Sequence, residues 1–174
     1  LHYELRRGRL AGSGELLWRP QAGRYELALQ GSVVGLRVLT QVSQGGLDEH
    51  GLAPERFTDQ RVRRPVQAAN FRRDSSRISF SGPPQELPLW PGVQDRLSWM
   101  IQLPAIVEAN PSLARTGARV TLFVVGTRGD AEDFALIHYH RDDGDYGDAT
   151  SPDFTNFWGL HVWEGSAETG VTWQ

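Results

Sequence analysis

The stretch GELLWRPQAGRYELALQ (residues 14–30) decides the fold class. In RYELALQ (24–30), Tyr25, Leu27 and Leu29 share one face, while Arg24, Glu26, Ala28 and Gln30 share the other. A period of two is that of a strand, whose side chains alternate across the sheet. GELLWR (14–19) has the same character, and the RPQAG between them carries the Pro and Gly of a turn. Two short strands about a turn make an antiparallel hairpin. Working outward, HYELR (2–6), VVGLRVLTQVS (33–43), RFTDQRVR (56–63), VQAANFRR (66–73) and RISFS (77–81) continue it as a β-meander. In 33–43 the alternation sets Val34, Leu36, Val38 and Thr40 on one face. The outward faces carry Arg56, Arg61, Arg63, Arg64, Arg72, Arg73 and Arg77.

The period then changes. In GVQDRLSWMIQLPAIVEANP (92–111), Val93, Leu97, Met100, Ile101 and Val107 recur at helical spacing, which predicts one helix over 93–109. Pro104 is expected to kink or split it. ARVTLFVVGT (118–127), DFALIHYH (133–140) and FWGLHVWE (157–164) return to strand. The expected fold is therefore mainly β, an antiparallel sheet with one helix, its C-terminal strands extending that sheet. Trp18, Trp90 and Trp99 are read as structural.

Composition narrows the function classes. The 174 residues are 39% apolar, enough for a packed core, and contain no cysteine, so disulfides and thiolate metal sites are excluded. No run of about 18 apolar residues offers a membrane span. No signal peptide is visible, and the sequence opens on Leu1 rather than Met, which fits a trimmed or partial product. The net charge of −3 hides an asymmetry: residues 1–129 sum to +6 and residues 130–174 to −9, with every basic residue an arginine. A break near Gly129 points to two segments with different tasks, 1–132 and 133–174.

Residues 3–130 resemble the bacterial domain-of-unknown-function family 3108. The resemblance is carried by YELRRGRLAGSGELLWRPQAGRYELAL, GLAPERFTDQRVRRPVQAANFRRDSSRISFSG and PLWPGVQDRLSWMIQL. It implies a curved, half-barrel-like antiparallel sheet wrapped around a helix and a periplasmic or secreted setting in the bacterial envelope. It implies no catalytic residues. The chain departs from that pattern after VVGTRGDAEDF.

There, HYHRDDGDY (138–146) and WGLHVW (158–163) resemble the opening of a pullulanase-associated domain, a family 41 carbohydrate-binding module. The resemblance implies an α-glucan oligosaccharide as partner, with the aromatic platform at His161 and Trp163 and with His138, His140, Arg141, Asp145 and Tyr146 shaping the adjoining turn. Strand alternation independently sets Trp158, Leu160 and Val162 on one face and Gly159, His161 and Trp163 on the other. A pyranose stacks its C–H face on such rings and hydrogen-bonds at its edges. The segment is about half of such a module, so the chain is expected to be a junction, fragment or chimera whose sugar site is half built. DFALIHYH is expected to complete the first segment's sheet.

Other chemistry carries less weight. His138 and His140 lie two apart on one strand face and, with His161, Asp142, Asp143 or Asp145, offer a zinc arrangement. DDGDYGD lacks the spacing of a calcium loop. The arginines have acidic residues interspersed and no aromatic stacking motif, which argues against nucleic acid. No nucleophile elbow, zinc-protease helix or phosphate loop occurs. The expectation is a non-catalytic protein with no cofactor: an α-glucan binder or, alternatively, an envelope scaffold that holds an apolar ligand or partner.

Overall fold

The computed structural model describes residues 1–7, 10–113, 119–129, 134–141 and 158–164, with side chains over 1–4, 11–113 and 120–129. Eight strands run in simple meander order: β1 (His2–Arg7), β2 (Leu10–Gln21), β3 (Arg24–Val33), β4 (Leu36–Asp48), β5 (Gly51–Arg61), β6 (Gln67–Arg72), β7 (Arg77–Phe80) and β8 (Glu86–Pro88). Each pairs antiparallel with the next, so the sheet order is the sequence order. The sheet is open and does not close into a barrel. A second sheet holds β9 (Gln94–Asp95), β10 (Arg119–Val125), β11 (Phe134–Arg141) and β12 (Trp158–Glu164), in the order β12-β11-β10-β9. Between β9 and β10 lies helix α1 (Trp99–Ala109), followed by a short 3-10 turn.

The expected mainly β chain with one helix and an open antiparallel sheet is what forms. The alternation in 24–30 sets the core: Tyr25 and Leu27 are buried and Leu29 packs against them. Leu27, Phe57, Ile78, Leu97 and Val125 meet in one cluster at 0% exposure. Full burial of side chains of this size stabilises by roughly 1.5–3 kcal/mol each.

Three expectations change. First, VVGLRVLTQVS is not one strand. The chain reverses at Val34 and Gly35, with φ of 50° and 75°, the doubly left-handed signature of a tight hairpin turn. Val34 and Leu36 flank this reversal and are 78% and 72% exposed. A β-branched residue is strained at positive φ, and Val34 gains no burial in return. Val34→Asn is expected to raise stability by about 1 kcal/mol, read as an increased midpoint in urea unfolding. An unchanged or lower midpoint would refute the strain assigned to this turn.

Second, the helix starts at Trp99, not at residue 93. Gly92 has φ 76°, β9 pairs parallel with β10, and Asp95 stops the backbone from being helical earlier. The Asp95 Oδ1 accepts the N–H groups of Leu97 (2.8 Å) and Ser98 (2.7 Å), while the Ser98 Oγ accepts the Asp95 N–H (2.9 Å). These bonds have the reciprocal pattern of a capping box, with Ser in the place usually taken by Glu, but they close the turn that precedes the helix, whose N-cap is Ser98. Val93 and Leu97 are buried as their spacing implied, but in the approach to the helix. Pro104 lies inside α1, which runs through it as one element. Proline has no N–H, so the Met100 carbonyl forgoes its usual helical donor there.

Third, β11 does not extend the eight-stranded sheet. It pairs antiparallel with β10, and β12 pairs with β11. The short connection after β10 makes a neighbouring-strand hairpin the direct solution. The expected boundary at 132/133 thus falls between two strands that are paired with each other.

Helix α1 serves both sheets. Met100 and Ile101 pack on the large-sheet core. Trp99, Ile106 and Val107 pack with Leu103 against Leu122 and Val124 of β10. An almost wholly apolar helix is what contact on two sides requires.

Candidate functional site

The residues that the sequence singles out as a sugar platform lie on the hairpin β11–β12. His138, His140 and Arg141 are in β11, and His161 and Trp163 are in β12. The antiparallel register sets His138 opposite His161, Leu136 opposite Trp163, His140 opposite Gly159 and Arg141 opposite Trp158. The two motif blocks, 20 residues apart in sequence, are thereby brought side by side, and β12 is an edge of its sheet. Asp145 and Tyr146 lie outside the described residues, as do Asp142 and Asp143 and the side chains of the strand residues. Among the described residues no three His, Asp or Glu side chains are placed to hold a metal.

A second site is built from side chains that lie far apart in sequence. Along β5, Phe57, Asp59 and Arg61 alternate onto the inner face, the one that packs on the helix and second sheet. Phe57 is core, and Asp59 and Arg61 continue its row toward the sheet end. Arg61 thus belongs to the inner face, not to the outward basic face, whereas Arg56, Arg72, Arg73 and Arg77 are exposed as expected. The β5–β6 connection turns at once: the Arg64 N–H donates to the Arg61 carbonyl at 3.1 Å, and Arg63 takes a φ of 58°. Facing this end are Arg96, from the loop before α1, and Thr127 and Arg128, just after β10. Together they line a cleft of about 180 Å³.

The cleft has fixed walls. Asp59 accepts from Arg61 Nε (3.4 Å) and Nη2 (3.2 Å), and its Oδ2 also accepts from Gln41 Nε2 (3.1 Å). The Thr127 hydroxyl donates to Gln67 Oε1 at 3.5 Å. Among the described residues, the lining of this space includes Arg61, Arg64, Arg96 and Arg128 together with Asp59.

Beneath it runs a buried polar chain. Asp95 has 0% exposure, as does Ser43. The Ser43 hydroxyl donates to Asp95 Oδ2, and Tyr25 Oη lies 3.0 Å from Ser43 Oγ. Since the one proton of Ser43 goes to Asp95, Tyr25 must be the donor in its own bond. Burial pushes the Asp95 carboxyl up to about 6, opposed by its hydrogen bonds to Ser43 and to the Ser98 and Leu97 amides. Burial, then the nearby Asp95 charge, also pushes the Tyr25 hydroxyl up.

Two glutamines complete the frame. Gln102 Oε1 accepts the Leu52 N–H (2.8 Å) and its Nε2 donates to the His50 carbonyl (2.7 Å). Gln94 Nε2 donates to the Leu52 carbonyl (2.8 Å). Both backbone groups of Leu52 are thus satisfied by side chains, one from β9 and one from α1, which ties the β4–β5 hairpin end to both. The Gln94 Oε1 is buried with no partner among the described residues.

Of the three tryptophans read as structural, Trp99 packs on α1 and β10. Trp18 is 38% exposed and stacks on Tyr25 at 5.6 Å, while Trp90 is 50% exposed and meets Phe123 edge-on at 4.7 Å.

The chain matches no family model, no curated protein and no solved structure. The two family resemblances therefore rest on the residues that carry them.

Proposed function

We propose that the chain is a non-catalytic carbohydrate-binding protein of the bacterial envelope, with the β11–β12 hairpin as an α-glucan site. The supporting observation is the register of that hairpin. It pairs the HYHR block with the WGLHVW block and sets His138 opposite His161, with Trp163 two residues further along the same edge strand. An edge strand with a ring at alternate positions is a suitable stacking surface for a linear sugar chain. Binding is expected to be weak and dominated by stacking.

The second reading, a scaffold holding an apolar ligand or partner between sheet and helix, has less behind it. Leu27, Phe57, Ile78, Leu97 and Val125 fill that space against one another at 0% exposure.

Titration with maltotetraose, followed by tryptophan fluorescence and with cellotetraose as control, tests the proposal. A saturable change with the α-linked sugar alone, lost in Trp163→Ala, is the expected result. No response to either sugar would overturn the α-glucan reading, and a response that survives Trp163→Ala would remove the platform.

A further inference from the structure

We propose that the end of the large sheet formed by the β3–β4 turn and the β5–β6 connection is a docking tip for the surface of an anionic lipid bilayer. The tip combines exposed aliphatic side chains, Val34, Leu36 and Val62, with exposed Arg37, Arg63 and Arg64. This inference is independent of the β11–β12 hairpin and stands or falls without it.

Topology brings these residues together. Alternate connections of an antiparallel meander fall at the same end of the sheet, so the turn at 34–35 and the connection at 62–66 share one end. The Val62 N–H donates to the Val38 carbonyl at 3.0 Å, which joins the two. Arg37 and Val38 line a surface depression together with Val62, Arg63 and Arg64. Leu36 precedes Arg37 and Val62 precedes Arg63, so aliphatic and cationic groups are interleaved. Strain marks the same end. Val34 and Arg63 take φ of 50° and 58°, which costs energy for a residue that carries a Cβ. Both are exposed, so packing does not offset that cost. Strain held without a packing reason collects at functional sites.

Chemistry selects the partner. A single exposed aliphatic side chain is ordinary. Aliphatic tips interleaved with arginines match a bilayer interface, where apolar area enters the acyl boundary and cations meet the anionic headgroups. Guanidinium forks suit phosphate oxygens, and their bonds to them are charge-assisted. The lining of the depression contains four arginines and no carboxylate among the described residues. The carboxylate beside it, Asp59, is engaged by Arg61 and Gln41. The backbone is suited to the same layer. The N–H groups of Val34, Val62 and Arg64 all donate to carbonyls of the chain, at 3.4, 3.0 and 3.1 Å. These donors stay paired where water is scarce, and an unpaired donor there is costly.

The test is co-sedimentation of the full chain with vesicles of phosphatidylglycerol and phosphatidylcholine in equal parts, with vesicles of phosphatidylcholine alone as control. The chain carries a net charge of −3, so attraction to an anionic vesicle requires a local basic surface. Binding to the mixed vesicles is expected, and at least about tenfold weaker binding to the neutral ones. The double variant Val34→Asn, Leu36→Ser should weaken binding about tenfold while its midpoint in urea does not fall, which separates lost docking from lost folding. Arg63→Gln should weaken binding about fivefold. Arg77→Gln, at the β6–β7 end of the sheet, should leave it unchanged. No binding to the mixed vesicles would overturn the proposal, as would equal weakening by Arg63→Gln and Arg77→Gln or full binding by the double variant. Analytical ultracentrifugation without lipid provides the other arm. A dimer that the double variant dissolves would identify a second copy of the chain as the occupant and overturn the bilayer.

Discussion

Replacing Asp95 by Asn is expected to flatten the pH dependence of stability between about pH 4 and pH 7, a difference from the native chain of about 3 kcal/mol. Burial holds the folded carboxyl at about 6 against an ordinary value of 3.8. Between those values the folded state keeps a proton that the unfolded state has lost. Stability therefore falls as pH rises through this window and is level above it. The gap corresponds to about 3 kcal/mol at roughly 1.36 kcal/mol per pH unit. Asparagine keeps the shape and an oxygen for the Leu97 and Ser98 amides, and it never ionises. Its amide faces Ser43, whose hydroxyl can turn to accept and pass its own proton toward Tyr25. Asp95→Ala should behave differently. It strips three buried donors of their acceptor, at about 1–3 kcal/mol each, and so lowers stability by about 3 kcal/mol or more at pH 4. Urea unfolding of the three chains at pH 4 and 7 provides the check. Parallel profiles for the native chain and Asp95→Asn would mean that Asp95 is not the proton-linked group.

The Asp95 capping box marks where sequence reasoning reaches and where it stops. Asp95 and Ser98 stand three apart before an apolar run, which is a helix-start signal. The helical spacing of Val93 and Leu97 points to an earlier start, because residues buried from a loop at four-residue spacing look like residues buried from a helix. The inner face of β3 was legible from Tyr25, Leu27 and Leu29, since period two needs only local information. Val34 was not, because a β-branched residue in a left-handed turn contradicts turn chemistry. Gln94 and Gln102 gave no signal, as glutamine is mostly exposed and only the packing of β9 and α1 against the β4–β5 hairpin reveals what they bond. The arginine cleft was partly visible. Arg61 and Arg64 stood out as basic residues, yet their meeting with Arg96 and Arg128 depends on topology, and alternation had assigned Arg61 outward. For the hairpin site, both motif blocks were legible as strands, but their partner was not. The large sheet was expected, and β10 was found.

Gly45→Ala is expected to cost more than about 4 kcal/mol, a loss confined to strain, cavities and broken buried networks. The pairing of β4 with β5 slips at this point: Gln44 faces Arg56 and Gly45 faces Pro54, leaving Glu55 as an extra residue. Such a bulge bends the strand and tolerates a proline that a regular ladder rejects. Here the bend brings β5 backbone over Gly45, where an added Cβ would overlap the Ala53 oxygen and lie 2.9 Å from the Glu55 nitrogen. Neither obstacle is a flexible side-chain end, so the bulge itself must open. Opening it displaces the buried Ala53 and Pro54 and shifts Leu52 away from Gln94 and Gln102, uncoupling the hairpin end from α1. It also moves Glu55, whose carboxyl the Arg24 guanidinium holds below the usual range, from that partner. Gly46→Ala is the control. Its Cβ would meet nothing closer than 3.6 Å, and the change should stay within about 1 kcal/mol because alanine also restricts the unfolded chain. Urea unfolding measures both losses, and amide exchange at Leu52 reports whether the glutamine clamp survives. Equal effects at the two glycines would mean that the bulge yields freely and that the β4–β5 bend, on which the position of Asp59 and Arg61 depends, is not fixed by Gly45.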